Sequence, residues 1–241
     1  MLAIIGGSGF SRLPELESTR REAFRTAYGE PSCPLLFGKL GGRDIVFLAR
    51  HGFGHTFAPH EINYRANIDA LKQAGADKIL SLSAVASMDE TLTPGDLVLP
   101  HDLIDYTSMR EHTFFSGVHM PVVHPDFSAP YDADLRRDIE TWAENAQVSL
   151  HRQAVYACLQ GPRLPTRAEV CRYRHDGGNV YGMTGMPEAV LAQEKDMAYV
   201  HLCGIIGMAA GCGGNGHAPQ FKSESDSAAS EKIRRILRQI A

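Results

Sequence analysis

The sequence contains no Cys-x-x-Cys pair. Its five cysteines, Cys33, Cys158, Cys171, Cys203 and Cys212, are odd in number and widely spaced. That spacing excludes a zinc ribbon and a thioredoxin-type redox motif. Cys158 and Cys203 lie in apolar runs and read as small buried hydrophobes. Positive charge is also short: 24 lysines and arginines face 28 aspartates and glutamates, a net charge of −4. A nucleic-acid partner is therefore not expected, and any anion must be small and held in a local pocket. No apolar run reaches the roughly 18 residues of a membrane-spanning helix, so no membrane partner is expected either. Met1–Ile5 runs into a glycine turn with no basic leader, which makes the cytoplasm the expected compartment. Internal repeats are absent as well.

What is present is ordinary globular material, 44% hydrophobic and 22% charged over 241 residues, enough for one α/β domain with a full core. Short apolar runs at Leu2–Ile5, Asp44–Leu48, Lys78–Val85, Asp96–Pro100, Ala154–Leu159 and Ala198–Ile206 predict buried strands. Between them, Asn63–Ala74 predicts a helix with Ile68, Leu71 and Ala74 on one stripe. Asp132–Ala146 places Leu135, Ile139, Trp142 and Ala146 at helical spacing behind an Asp132 N-cap. Pro187–Glu194 opens with the residue that suits a first helical turn. Ser230–Ile240 closes the chain as a helix with Ile233, Ile236, Leu237 and Ile240 on one face. Strands alternating with helices predict a single three-layer α/β domain over residues 1–241. Gly211–Ser230, rich in glycine and serine, reads as a long flexible loop.

Three segments could carry chemistry. Gly6-Gly7-Ser8-Gly9 follows a strand, and its glycines let backbone approach an anion beside the Ser8 hydroxyl. It is no dinucleotide fingerprint, since Arg12 stands where the last glycine would fall, and no nucleophile elbow, since Phe10 replaces a glycine. A plain structural turn is the alternative. Ala49-Arg50-His51-Gly52-Phe53-Gly54-His55 offers a His-x3-His spacing, but zinc binding at that spacing needs a helix, and two intervening glycines oppose one. An arginine fork beside histidines at a strand end suits an oxyanion better, with a solvated loop as the alternative. Gly182-Met183-Thr184-Gly185-Met186-Pro187-Glu188 places a hydroxyl at a helix start, where orphan N–H groups favour an anion. Glu169 and Glu188 read as helix-start carboxylates, with Glu169 also able to swing toward a bound base.

Six ordered blocks carry a resemblance. Ile4–Gly9, Leu48–Gly52, Asn63–Ile68, Pro94–Leu97, Gln160–Arg163 and Gly182–Glu188 occur in the order seen in methylthioadenosine phosphorylase, within the purine nucleoside phosphorylases. The match runs from the start to about Ala210. Tyr156-Ala157-Cys158 and Asp105-Tyr106-Thr107-Ser108 are most similar to the bacterial branch acting on S-methyl-5'-thioinosine. The resemblance implies the phosphorylase/hydrolase-like fold with a mixed twisted sheet. It also implies inorganic phosphate as co-substrate, no metal or organic cofactor, and a homotrimer. By the same resemblance, phosphate would be held by Ser8, Arg50, His51, Ser83, Ala84 and Thr184, with Arg50 and His55 catalytic. Met183 would lie beneath the ribose, and His124 would reach a neighbouring subunit's pocket.

Three departures fall on the base side. Pro165 replaces a glutamate, Gly207 replaces an Asn or Asp and is followed by Met208, and Ala84-Val85-Ala86 replaces an Ala-x-Gly loop. The expected reaction is phosphorolysis of a 5'-methylthio purine nucleoside, S-methyl-5'-thioinosine foremost, to free purine and 5-methylthioribose 1-phosphate. A general purine nucleoside phosphorylase, a methylthioadenosine phosphorylase and a weakly active nucleoside-binding paralogue are the alternatives.

Overall fold

The computed structural model describes residues 1–117, 121–213 and 228–240. Among them run, in chain order, β1 (Leu2–Gly6), β2 (Glu17–Glu22), β3 (Leu35–Leu40), β4 (Arg43–Ala49), α1 (Tyr64–Gln73), β5 (Lys78–Ser87), β6 (Leu97–Val98) and β7 (Asp102–Asp105). They are followed by α2 (Ala133–Asn145), β8 (Val155–Cys158), α3 (Arg167–His175), β9 (Val180–Gly182), α4 (Gly185–Glu194), β10 (Ala198–Met208) and α5 (Ala228–Leu237). The strands form one mixed sheet in the order β2-β3-β4-β1-β5-β9-β8-β7, with β10 beside β5 and carrying β6. β1 is buried at every position between two parallel neighbours, β4 and β5, which is why its sequence is a continuous apolar run rather than an alternation.

The helices cover both faces of the sheet. Along β10, His201 lies close enough to α4 that a Cβ on Gly185 would meet its ring, while a Cβ on Gly204 would meet Ala229 and Ile233 of α5. Positions of opposite parity in a strand face opposite sides, so α4 and α5 sandwich the sheet. α1 packs on α4, and α2 packs on α5. The helix starts follow the capping logic of the sequence. Asn63 accepts the Ala66 N–H at the head of α1, and Asp132 accepts the Leu135 N–H at 2.7 Å at the head of α2.

Several expectations are corrected. The strand expected over Asp96–Pro100 is only Leu97–Val98, because Gly95 turns with φ +97° before it and Pro100, without an N–H, cannot extend the ladder. β2 was not anticipated: all six of its residues are exposed and its polar sequence shows no alternation, so only pairing with β3 makes it a strand. α3 has no signature in the sequence, because Val170 is its one buried residue and it carries no apolar stripe. The last helix begins at Ala228, two residues before the expected start. Of the expected loop Gly211–Ser230, residues 214–227 lie outside the described residues.

Candidate active site

β5 outruns β1, and the site lies where it does. β1 pairs with β5 from Leu2–Lys78 to Gly6–Leu82, β10 holds the other side throughout, and β9 takes up the β1 side only at Ala86–Tyr181. Ser83, Ala84 and Val85 are thus left without a strand neighbour on that side. Chain segments leaving the other strands gather at this gap, as ligand sites in α/β sheets do beyond the strands' carboxyl ends. Ser8 follows β1, His51 follows β4, and Met183 and Thr184 follow β9. Together with Pro59, Ser83–Ala86, Tyr181 and Gly182 they line one cleft.

Six residues singled out in the sequence therefore meet: Ser8, His51, Ser83, Ala84, Met183 and Thr184. The hydroxyls of Ser83 and Thr184 stand 3.3 Å apart. Thr184 occupies the N-cap of α4 yet makes no side-chain capping bond, so its hydroxyl serves the cleft side. The helix-start N–H groups do not face the cleft as expected. Those of Thr184 and Gly185 both donate to the Tyr156 hydroxyl at 3.3 Å, and that of Met186 donates to the Cys158 sulfur. Donor capacity at this end of the cleft resides in hydroxyls rather than in backbone.

Arg50 is placed differently from expectation. Its side chain is fully buried, and its fork is taken by Glu188, with Nε to Oε2 at 2.6 Å and Nη2 to Oε1 at 2.9 Å. Nη2 also donates to Ser81 and Nη1 donates to the Leu82 carbonyl, so only a long 3.5 Å contact from Nη1 to Ser83 Oγ points toward the cleft. The reason is energetic. An unpaired guanidinium cannot be kept out of water at this depth, and a carboxylate with further hydroxyl partners makes it tolerable. Burial works against the charge of Arg50, but Glu188 outweighs it and holds the guanidinium firmly protonated. Gly7 lets this happen: a Cβ there would stand 2.5 Å from Arg50 Nη1 and 2.6 Å from the Leu82 carbonyl oxygen.

His51 faces the cleft in a known tautomer. Its Nδ1 lies 2.8 Å from the Phe57 carbonyl oxygen, which can only accept, so Nδ1 carries the proton and Nε2 is a bare acceptor. Burial, helped by the nearby Arg50 charge, pushes His51 down to about 4, so the ring is neutral at neutral pH. His55 is exposed and stacks on His51 with ring centroids 4.4 Å apart, but is not among the lining residues. Neither are His124, which is exposed, nor Pro165 and Gly207, which are buried. Gly207 sits in β10 opposite Ala86, one strand away from the cleft. Glu169, read as able to swing toward a base, is engaged at its own helix start. It closes a capping box with Thr166 and takes both ends of the Arg163 fork at 2.8 and 2.6 Å, contacts that lower it to about 2.

Four residues of the site were not legible beforehand. Glu188, read as a helix-start carboxylate, is the partner of Arg50, and Tyr199 donates to it at 2.9 Å. His201, inside an apolar strand, lies 2.7 Å from Ser83 Oγ through Nε2. Tyr181 lines the cleft with its hydroxyl buried and without a hydrogen-bond partner. The one sequence signal was Ser81-Leu82-Ser83, whose alternation within an apolar strand turns both hydroxyls to one face. No group of three or more His, Cys, Asp or Glu able to hold a metal occurs among the described residues. Nor is any helix there long and apolar enough to cross a membrane.

Comparison with known proteins bears on this arrangement. The family model described as Phosphorylase superfamily matches residues 1–241. A Pseudomonas syringae pv. tomato protein named "Probable S-methyl-5'-thioinosine phosphorylase" is 46% identical over 209 residues, 87% of this chain and 85% of that protein. The 6-oxopurine nucleoside phosphorylase of Pyrococcus furiosus is 43% identical over 218 residues, 88% of this chain and 81% of its own length. Among solved structures, a methylthioadenosine phosphorylase sourced from an antarctic soil metagenomic library superposes with a TM-score of 0.90. It is 36% identical, over 99% of this chain and 84% of that one.

Proposed function

The chain belongs to the phosphorylase superfamily, and from that premise we propose that it cleaves a 5'-methylthio purine nucleoside with inorganic phosphate. The products are free purine and 5-methylthioribose 1-phosphate, and S-methyl-5'-thioinosine is the leading substrate. One observation carries the reading. The cleft brings the Ser8, Ser83 and Thr184 hydroxyls and His51 Nε2 together beside the apolar Met183, with no carboxylate among the described lining residues to activate water.

In this reading the three hydroxyls donate to phosphate oxygens, and His51 Nε2 accepts the proton that phosphate retains at neutral pH. Phosphate is a weak nucleophile toward a sugar carbon, so orientation below C1' supplies much of the rate. Its oxygen bonds to C1' as the C1'–N9 bond breaks, through a transition state with oxocarbenium character that the held dianion stabilises. The electron pair leaves with the purine, which takes a proton. Arg50 acts from behind, through Ser83, rather than by clasping the anion.

The enzyme works as a homotrimer in the cytoplasm, with His124 extending to a neighbouring subunit. Support comes from the resemblance of Val123-His124-Pro125 and from the exposure of Val122 and Val123, two apolar side chains that a monomer would leave in water. Purine release from methylthioinosine, methylthioadenosine and inosine, each with and without phosphate, tests the reading. Phosphate-dependent release, fastest on methylthioinosine, is expected, and equal rates without phosphate would reject it. Sedimentation showing a fully active monomer at micromolar concentration would reject the trimer.

A further inference from the structure

His201 is fully buried in the middle of β10, where the sequence is otherwise apolar, and nothing in the proposed chemistry requires an imidazole there. Its ring is wedged edge-on to Tyr156, with centroids 4.7 Å apart, and against Gly185. One nitrogen, Nε2, lies 2.7 Å from Ser83 Oγ; the other, Nδ1, is buried with no partner. Burial pushes the ring down to about 3, with the Arg50 charge acting in the same direction, so it carries a single proton. That proton can sit on either nitrogen, and the two choices differ in cost. On Nδ1 it would leave a buried N–H donor without an acceptor, one of the rarer and more costly defects of a protein interior. On Nε2 it makes a good bond to Ser83, and the orphan is only an acceptor.

We infer that His201 is a positioning residue that, as the Nε2–H tautomer, fixes the direction of the Ser83 hydroxyl. A serine oxygen has two acceptor sites and one proton. His201 Nε2–H occupies one acceptor site at 2.7 Å and Arg50 Nη1 approaches the other at 3.5 Å. The Ser83 proton is thereby turned away from both, toward Thr184 Oγ1 at 3.3 Å and the open cleft. The Ser83 proton then goes either to an oxyanion in the cleft directly or to Thr184, whose own proton must in that case point onward. His201, Ser83 and Thr184 thus form a one-way row of donors that ends in the cleft, where an oxyanion meets hydrogens rather than lone pairs. Without His201 the Ser83 hydroxyl could rotate inward, and an incoming anion would have to reverse it.

The inference rests on the phosphorolysis reading, and its test separates the two. Steady-state kinetics are measured with phosphate and with nucleoside varied separately, on wild type, His201→Leu, His201→Gln, Ser83→Ala and the double variant His201→Leu with Ser83→Ala. Loss of one directed hydrogen bond should raise the phosphate KM about tenfold in His201→Leu, with the nucleoside KM unchanged. His201→Gln, whose amide N–H reaches as far as Nε2, should restore it to within about twofold, and the double variant should be no worse than Ser83→Ala alone. Multiplicative losses, or an unchanged phosphate KM in His201→Leu alongside a raised one in Ser83→Ala, would overturn the inference alone. A wild-type rate indifferent to phosphate would remove the phosphorolysis reading and this inference with it. Should His201→Leu not fold, long-range nitrogen–proton NMR of the wild-type imidazoles decides, with the His201 signals assigned by their absence from the His201→Gln spectrum: a proton on Nε2 of His201 supports the inference, and one on Nδ1 overturns it.

Discussion

Arg50 and Glu188, 138 residues apart in sequence, close a two-point ion pair at 2.6 and 2.9 Å with both side chains out of solvent. Ser81 and Tyr199 complete the carboxylate's shell at 2.6 and 2.9 Å. The pair ties the end of β4 to α4 directly behind the hydroxyls of the cleft, so the site and the core share one set of contacts.

Removing one partner should therefore destabilise the fold as well as the site. Glu188→Leu and Arg50→Met should each cost about 3–5 kcal/mol, because each leaves a buried charge uncompensated. Arg50→Met combined with Glu188→Leu should cost clearly less than the sum of the single losses, since residues acting as a unit are not additive. Urea unfolding of the four proteins measures this. Strictly additive losses would show that the pair does not act as a unit.

Stability should fall on mild acidification. His51 and His201 are held at about 4 and about 3, below the ordinary 6.5, so the unfolded chain binds two protons that the folded chain refuses. The stability they allow is complete above about pH 6.5 and is lost as pH falls toward the folded values, by up to about 2.7 kcal/mol per pH unit. The slope of urea-derived stability against pH between these limits checks it. His201→Gln should remove about one proton's share of that slope.

Chelators should leave activity unchanged. His51 and His55 stack with an interplanar angle of 21°, and His51 spends Nδ1 on the Phe57 carbonyl, so the two rings cannot turn nitrogens toward one ion. Loss of activity in EDTA, restored by zinc, would contradict this arrangement.

Two buried tyrosine hydroxyls without partners offer a paired comparison. Tyr131→Phe and Tyr181→Phe should each leave stability within about 1 kcal/mol of wild type, because a buried hydroxyl with no bond contributes none on removal. Tyr181 lines the cleft but its hydroxyl is shielded from it, so Tyr181→Phe, like Tyr131→Phe, should leave the nucleoside KM unchanged. A raised nucleoside KM in Tyr181→Phe alone would show that the hydroxyl turns into the cleft.

The sequence by itself determined the layers of this protein and the ingredients of its site. Continuous apolar runs such as Leu2–Ile5, short and ended by glycines, predict a strand buried on both faces, and capping residues such as Asp132 mark helix starts through local hydrogen bonds. Ser8, His51, Met183 and Thr184 were visible because glycine turns and helix starts are short-range signals, whereas Ser83 and Ala84, inside a strand, came only through the family resemblance. β2 and α3 were not, since β2 is exposed throughout and α3 buries only Val170, so neither leaves a period in the chain. Only the tertiary structure decided how the ingredients are used. It gave the Arg50 fork to Glu188 rather than to the cleft, left Pro165 and Gly207 outside the lining, and set His201 against Ser83. Each is a choice among partners more than 30 residues away or across a sheet, and burial decides it: a charge or donor removed from water takes whatever complementary group packing brings within reach.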